Sequence, residues 1–459
     1  MLNKSFCFTL FSLIGWLSAS AWGPDIPFAS QPSGRISMVA NSAGTLYCTV
    51  PAAMTGVGGA NLYESTDNGA SWMPIANLGS GETVVKTKLL VTGTDSVYCI
   101  YQIGDSLFTF SVQSRVTTPF TTMTVEDFDA VASPNGNAIY LFTDDLGNTN
   151  VHRYSSTDGG YTWNGSTALV AGDAANPRVC MDGTRLILNY YGPVLSPATT
   201  SIIRSAFYNE TVPGTIAPGA GAFADRLPSG PTRPQFESAI VANTVWLFWT
   251  ETNGIDISLK YMVSSDNGVN YSTEATVSND AACFGLTTIR SIVDPAVGLA
   301  YYHDSVPVAP NYRYSQVRAL NPTAFSSPES FSDFDPSCFG GHETYPAVAA
   351  IGNDVGVVWT ETDAFASLYF DLRSAITKVE TVSPKGDIRV YPNPAGDQIS
   401  IRSGQQTMGT RYRIVDLSGQ IVQTIQLESG ITTIDIHLLA SGVYQLVGES
   451  GAATRFMKN

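Results

Sequence analysis

Short apolar runs of seven or eight residues, separated by clusters of Gly, Asn, Asp and Ser, recur through residues 30–379. They are Gly44–Val50 (GTLYCTV), Asp95–Tyr101 (DSVYCIY), Asn137–Thr143 (NAIYLFT), Gly183–Tyr190 (GTRLILNY), Asn243–Thr250 (NTVWLFWT), Val297–His303 (VGLAYYH) and Asp354–Thr360 (DVGVVWT). Runs this short, rich in β-branched and aromatic residues and bounded by turn formers, predict buried strands rather than helices. Each follows a turn signal and an earlier apolar strand, as Arg35–Ala40 precedes the first and Ala347–Ile351 the last. The aligned anchors Tyr47, Tyr98, Tyr140, Ile187, Trp246, Leu299 and Val357 lie 42 to 59 residues apart. A repeat of that length with several strands per unit predicts a β-propeller. The pattern gives seven blades, with six as the alternative.

A second pattern overlies the first. Ser65-Thr-Asp67-Asn-Gly69-Ala-Ser-Trp72, Ser156-Thr-Asp158-Gly-Gly160-Tyr-Thr-Trp163 and Ser264-Ser-Asp266-Asn-Gly268-Val-Asn-Tyr271 share S-x-D-x-G-x-x-aromatic. They fall in repeats one, three and five, at the turn between the third and fourth strands. Asp accepts hydrogen bonds from turn amides, Gly adopts backbone shapes closed to other residues, and the aromatic packs between strands. The motif resembles the Asp-box (BNR repeat) of sialidase-like β-propellers. The fold expected is therefore all-β: a sialidase-like propeller over residues 22–379, with the boxes as structural turns on the face away from any ligand.

The pattern changes after a polar linker around Thr381–Asp387. Val390-Tyr-Pro-Asn-Pro-Ala-Gly-Asp397-Gln-Ile-Ser-Ile401 comes next, then Val415-Asp416-Leu-Ser-Gly419 and Leu438-Leu-Ala-Ser-Gly442-Val-Tyr444. These resemble, in order, the type A C-terminal sorting domain of the type IX secretion system. The resemblance implies a small immunoglobulin-like β-sandwich over residues 380–459 that directs export across an outer membrane, leaving the cargo secreted or attached to the surface of a Gram-negative cell. Alternation in Tyr412–Val415 and Val443–Val447 independently predicts short antiparallel strands.

At the other end, Lys4, the apolar stretch Phe6–Leu17 and Ala19-Ser-Ala21 read as a secretory signal peptide over residues 1–21. No later stretch reaches the roughly 18 apolar residues of a membrane span. Charged residues make up only 14% of the chain and the net charge is −15. Residues 380–459 hold seven Lys/Arg and seven Asp/Glu, so the acidity lies upstream, which disfavours nucleic acid as a partner. Five cysteines follow the signal, and Cys48 and Cys99 occupy equivalent repeat positions that face the same way. Cys283–Cys338 is the one pairing considered. No spacing suits a metal site, and no cofactor is implied.

Candidate chemistry belongs on the face opposite the boxes. Gly34-Arg35-Ile36-Ser37 resembles the F-R-I-P motif of sialidases, with Gly for Phe and Ser for Pro, and the resemblance makes Arg35 one of three arginines gripping a substrate carboxylate. Arg178, Arg233 and Arg290 are read as lying at or near the starts of innermost strands, and so as further ligand-binding candidates, since a guanidinium matches a carboxylate bidentately. The family's acid lies in the loop after the second strand of the first blade, but Thr49–Leu62 contains no Asp, Glu or His. The resemblance implies a Tyr–Glu catalytic pair, for which Tyr345 with Glu343, and Tyr302, are the candidates, with no local motif to choose between them. Trp249-Thr-Glu251 and Trp359-Thr-Glu361 place two more carboxylates on this face, beside loop carboxylates Asp144, Asp145 and Asp304. Glu251 and Glu361 suit either ligand contact or the acid and base of another glycosidase. Tyr190, Tyr191, Tyr301, Tyr302, Trp249 and Trp359 are candidates for stacking on sugars. Two functions follow: recognition of extracellular glycans or polymers without catalysis, or an exo-α-sialidase.

Overall fold

The computed structural model describes residues 21–23, 25–30, 35–51, 58–120, 124–145, 150–170, 174–192, 202–219, 235–253, 256–290, 295–303, 311–332, 345–360, 367–374, 389–391, 393–403, 411–416, 421–426, 430–448 and 453–459. The chain divides into two compact units, one of residues 20–375 and one containing residues 376–459.

The described strands of the first unit form seven antiparallel sheets. The first is built from Ser37–Ala40, Leu46–Pro51, Ala60–Ser65 and Met73–Leu78, in chain order from inside to outside. The next five repeat this meander, and their innermost strands are Val84–Val91, Val125–Ala132, Ala175–Asp182, Phe236–Val241 and Ala281–Ile289. The seventh runs from Ala347–Ile351 through Asp354–Thr360 to Ser367–Ser374, where Ala21–Trp22 and Ile26–Ser30 pair as its outer edge. Each innermost strand neighbours the next, and the seventh neighbours the first, so the ring closes. Arg35 and Lys86 bridge in parallel, which fixes the common direction of neighbouring inner strands. The unit is a β-propeller.

All seven anchor residues of the sequence repeat lie in second strands. These strands are covered on both faces, so they read as continuous apolar runs: Leu46–Pro51 is buried throughout. The core follows the ring, with a cluster between each pair of adjacent sheets. One joins Leu62 and Leu78 to Leu89 and Tyr101 of the second sheet, and another joins Ile36 and Met38 to Val358 and Phe370 of the seventh.

Each box turn is braced identically. Ser65 Oγ donates to Asp67 Oδ1 at 2.8 Å and accepts from the Gly69 amide at 2.8 Å, while Ser71 donates its amide to Asp67 Oδ1 at 2.9 Å and its hydroxyl to Oδ2 at 2.5 Å. Asp158 and Asp266 repeat the set with Thr162 and Asn270. Trp72 stacks on Phe28 of the closing strand at 4.6 Å.

The second unit is a sandwich of a three-stranded sheet (Arg389–Tyr391, Gln398–Ser403, Gly430–Asp435) and a four-stranded one (Ile421–Gln426, Arg411–Val415, Gly442–Gly448, Ala453–Lys458). Alternate residues Ile399 and Ile401, Tyr412 and Ile414, and Tyr444 and Leu446 point inward, the period of two expected of strands with one solvated face. No helix among the described residues is long and apolar enough to cross a membrane.

Candidate functional site

Because every meander is antiparallel, the starts of the inner strands share one face with the loops after second strands, and the box turns lie on the other. An axial cavity of about 760 Å³ runs between the faces. At one mouth it is lined by Arg35, Lys86, Asp129, Glu237 and Tyr345; at the other by Asn41, Asp95 and Arg290.

Charged side chains from five consecutive inner strands meet at the first mouth. An Arg35 amino group donates to Glu237 Oε1, and Arg178 Nε lies 3.6 Å from the same oxygen. Arg178 also donates to Asp127 Oδ2 at 2.7 Å, and Lys86 donates to Asp127 Oδ1 and to the Phe128 carbonyl. Lys88 pairs with Asp129 at 2.7 Å, and Asp129 Oδ2 accepts the Val179 amide at 2.9 Å. Aromatic rings back the cations: the Arg35 guanidinium lies 5.6 Å from the Tyr345 ring centre, Arg178 5.8 Å from Phe236, and Lys86 4.9 Å from Phe128.

The electrostatics follow from burial and pairing. Burial alone would raise the Asp127 carboxyl, but Arg178 and Lys86 outweigh it and hold it well below the usual range. Asp129 is likewise held down by Lys88 and Lys86 against burial. Burial lowers Arg178 and Arg35, yet the facing carboxylates more than offset it, and both are raised. For Lys86, burial and the Arg178 charge win, and it falls to about 8. Beneath the cluster, Asp144 accepts the Asp127 and Asn176 amides, and burial with the nearby Asp127 charge pushes it up to about 6.

Of the candidates, Arg35, Arg178 and Tyr345 come together at this mouth. Arg290 does not. The sixth inner strand begins at Ala281, behind the polar Asn279-Asp280 turn, so Arg290 follows its end at Ile289 and sits at the opposite mouth, 56% exposed and 3.8 Å from Asp182. Glu251 lies away from the cavity lining, in the second strand of the fifth sheet, with its carboxylate 3.3 Å from Lys260 on the adjoining strand. Asp144 is a buried brace rather than a solvated loop carboxylate. Trp249, Trp359, Tyr190, Tyr191 and Tyr301 are buried between sheets and offer no sugar platform. Arg233, Glu343, Glu361, Asp304 and Cys338 lie outside the described residues; Cys283 is disulfide-bonded, and Cys48, Cys99 and Cys180 are free.

Lys86, Lys88, Asp127, Asp129 and Glu237 are the members that sequence reasoning missed. A partial signal was present: five successive inner strands carry charges just before their start or up to their middle, as Lys86 and Lys88 in Val84–Val91 and Asp127 and Asp129 in Val125–Ala132, but nothing local says which charge pairs with which. Among the described residues no group of His, Cys, Asp and Glu is arranged to hold a metal ion.

Residues 389–458 match the family model of the secretion system C-terminal sorting domain. The second unit is a type IX secretion sorting domain. The protein is accordingly an exported cargo, secreted or attached at the outer surface of a Gram-negative bacterium, and its sorting domain engages the type IX machinery. By sequence, no curated protein matches the chain. Among solved structures it is similar to a protein of unknown function from Dyadobacter fermentans (14% identity, 77% of this chain and 99% of that one, TM-score 0.45). It is also similar to the α-L-arabinanase of Penicillium chrysogenum complexed with arabinobiose (11%, 78% and 100%, 0.43) and to a Hadza microbial sialidase (12%, 77% and 67%, 0.41).

Proposed function

We propose that the propeller of this sorted cargo, residues 22–379 behind a cleaved leader of residues 1–21, recognises an extracellular glycan at the Arg35 mouth without turning it over. The observation that carries this reading is the closure of the ion network. Arg35, Lys86, Lys88 and Arg178 are all paired with Glu237, Asp127 or Asp129. Fixed, aromatic-backed pairs of this kind present donors and acceptors in set directions, which suits sugar hydroxyls. Hydrolysis needs a carboxyl group near the leaving oxygen, and Thr49–Leu62, where the sialidase-like pattern would put it, has none.

One observation favours the second reading, an exo-α-sialidase. Arg35 touches both Glu237 and Tyr345, so an arginine, a carboxylate and a tyrosine share one contact group. In that case Glu237, rather than Glu343, partners Tyr345.

The full exported chain and its Arg35→Ala variant, assayed on a glycan array and with a fluorogenic sialoside, separate the two. Glycan binding lost in the variant, with no turnover, supports recognition. Turnover abolished by Arg35→Ala overturns it.

A further inference from the structure

In the sorting domain the opening motif and the strand Ala453–Lys458 are bound to each other. Asn393 Oδ1 accepts the Met457 amide at 2.9 Å. The Ala395 amide donates to the Met457 carbonyl at 2.6 Å, and the Asn459 amide donates back to the Ala395 carbonyl at 2.9 Å. Ala395 and Lys458 thereby form a parallel bridge. Lys458 Nζ donates to Asp397 Oδ1 at 3.0 Å. The Lys458 side chain is only 7% exposed, whereas that of Asp397 is 78% exposed. The backbone carbonyl of Asp397 accepts the Ile436 amide at 2.8 Å, which carries the same segment onto the rest of the sandwich. Ala395 itself is fully buried in the core with Ile436 and Phe456.

The three residues that give the motif its character, Asn393, Ala395 and Asp397, thus each hold the Ala453–Lys458 strand. Each does so through a different kind of contact: side-chain acceptor, backbone pair and ion pair. A peptide read in extended form by a receptor would keep these groups free for that receptor. Here they are turned onto their own domain.

We infer that the Asn393–Asp397 motif serves export as an intramolecular clasp on strand Ala453–Lys458, and that the type IX machinery reads the clasped sandwich rather than the motif as a linear peptide. Asp397 and Lys458 are positioning residues in this scheme. The covered Lys458 side chain makes the pair sensitive from either side, because removing Asp397 takes away the ammonium's shortest acceptor and leaves the longer contact to the Asn459 carbonyl at 3.4 Å.

The test uses the full chain produced in a type IX-competent Gram-negative bacterium, with Asn393→Ala, Asp397→Asn, Lys458→Gln and the reversed pair Asp397→Lys/Lys458→Asp. Exported protein is measured against periplasmic protein, and hydrogen exchange of the Ala453–Lys458 amides is measured on the same variants. Loss of either charged partner should speed that exchange roughly tenfold or more. Export should fall in step, as much for Lys458→Gln, outside the motif, as for Asp397→Asn within it. Where the reversed pair restores slow exchange, it should restore export. Normal export of Lys458→Gln despite fast exchange overturns the inference. So does retention of any variant whose strand exchanges as slowly as the parent's, because the motif would then be read directly.

Discussion

Gly69 and Phe370 meet so closely that a Cβ on the glycine would lie 1.8 Å from Cε1 of the ring. Gly69 belongs to a box turn of the first sheet and Phe370 to the seventh, so the turn closes against its neighbour and not merely within its own sheet. Its φ of +87° lies in the left-handed region that side chains resist. Gly159 and Gly160 press in the same way on Tyr98 and Thr109 of the second sheet. Gly69→Ala should therefore destabilise the propeller by about 2–4 kcal/mol, combining backbone strain with overpacking. Chemical denaturation measures this. A change below about 0.5 kcal/mol, the level of an ordinary surface substitution, would contradict the packing account.

At the Arg35 mouth, Glu237 Oε1 faces two guanidiniums. Glu237→Gln keeps the shape and removes the charge, leaving Arg35 without its direct ion-pair partner. A loss of about 3–5 kcal/mol is expected, as for other broken buried pairs. The double variant Arg35→Met/Glu237→Gln should lose less than the two single changes added together, which a double-mutant cycle reads directly.

Asp144 makes stability fall with rising pH over a defined window. Its folded value of about 6 stands above the ordinary 3.8. Between the two, the unfolded chain has released the proton that the native state still holds, so unfolding is favoured as pH rises. The contribution is fully present below about pH 4 and gone above about pH 6, a difference of about 3 kcal/mol. Asp127 and Asp129, held down by their cations, act in the opposite sense and at lower pH. Asp144→Asn should flatten the slope between pH 4 and 6. An unchanged slope in urea titrations would show that the carboxyl titrates normally.

Cys48 and Cys99 are fully buried in second strands, and burial pushes both thiols far above their usual value. Neither should react with a thiol reagent in the native protein at pH 8, and both should react once denaturant is added. Modification in the native state within seconds would mean that the sheets open readily.

The ring was legible in the sequence because it is written seven times. Buried second strands force apolar runs at a regular spacing, and the anchors from Tyr47 to Val357 all landed in them. Arg35, Arg178 and Tyr345 were found at the mouth because each sits just before or within an inner strand. The partners were not. Glu237 lies roughly 200 residues from Arg35 and Asp127 about 50 from Arg178, and pairing across a ring leaves no local pattern. Arg290 was misplaced because one turn, at Asn279-Asp280, shifts its strand by several residues and so moves a side chain from one mouth to the other. Trp249, Trp359, Tyr190, Tyr191 and Tyr301 failed as sugar platforms because a second strand is covered on both faces, so alternation along it leaves neither side open to a ligand.

Six of the seven sheets are each drawn from one uninterrupted stretch of chain; the seventh borrows its edge from Ile26–Ser30. Ile26 pairs with Phe370, and bringing residues roughly 340 apart together costs about 5 kcal/mol in loop-closure entropy. Nothing within a single repeat offsets that term, so it is recovered only when the neighbouring sheets already stand in place. Closure is then expected to be the last event in folding and the first to be undone, which would give the propeller a seam. A chain that crosses the envelope before this seam is sealed finishes folding on the far side. Its slowest refolding phase should report the joining of its earliest and latest strands.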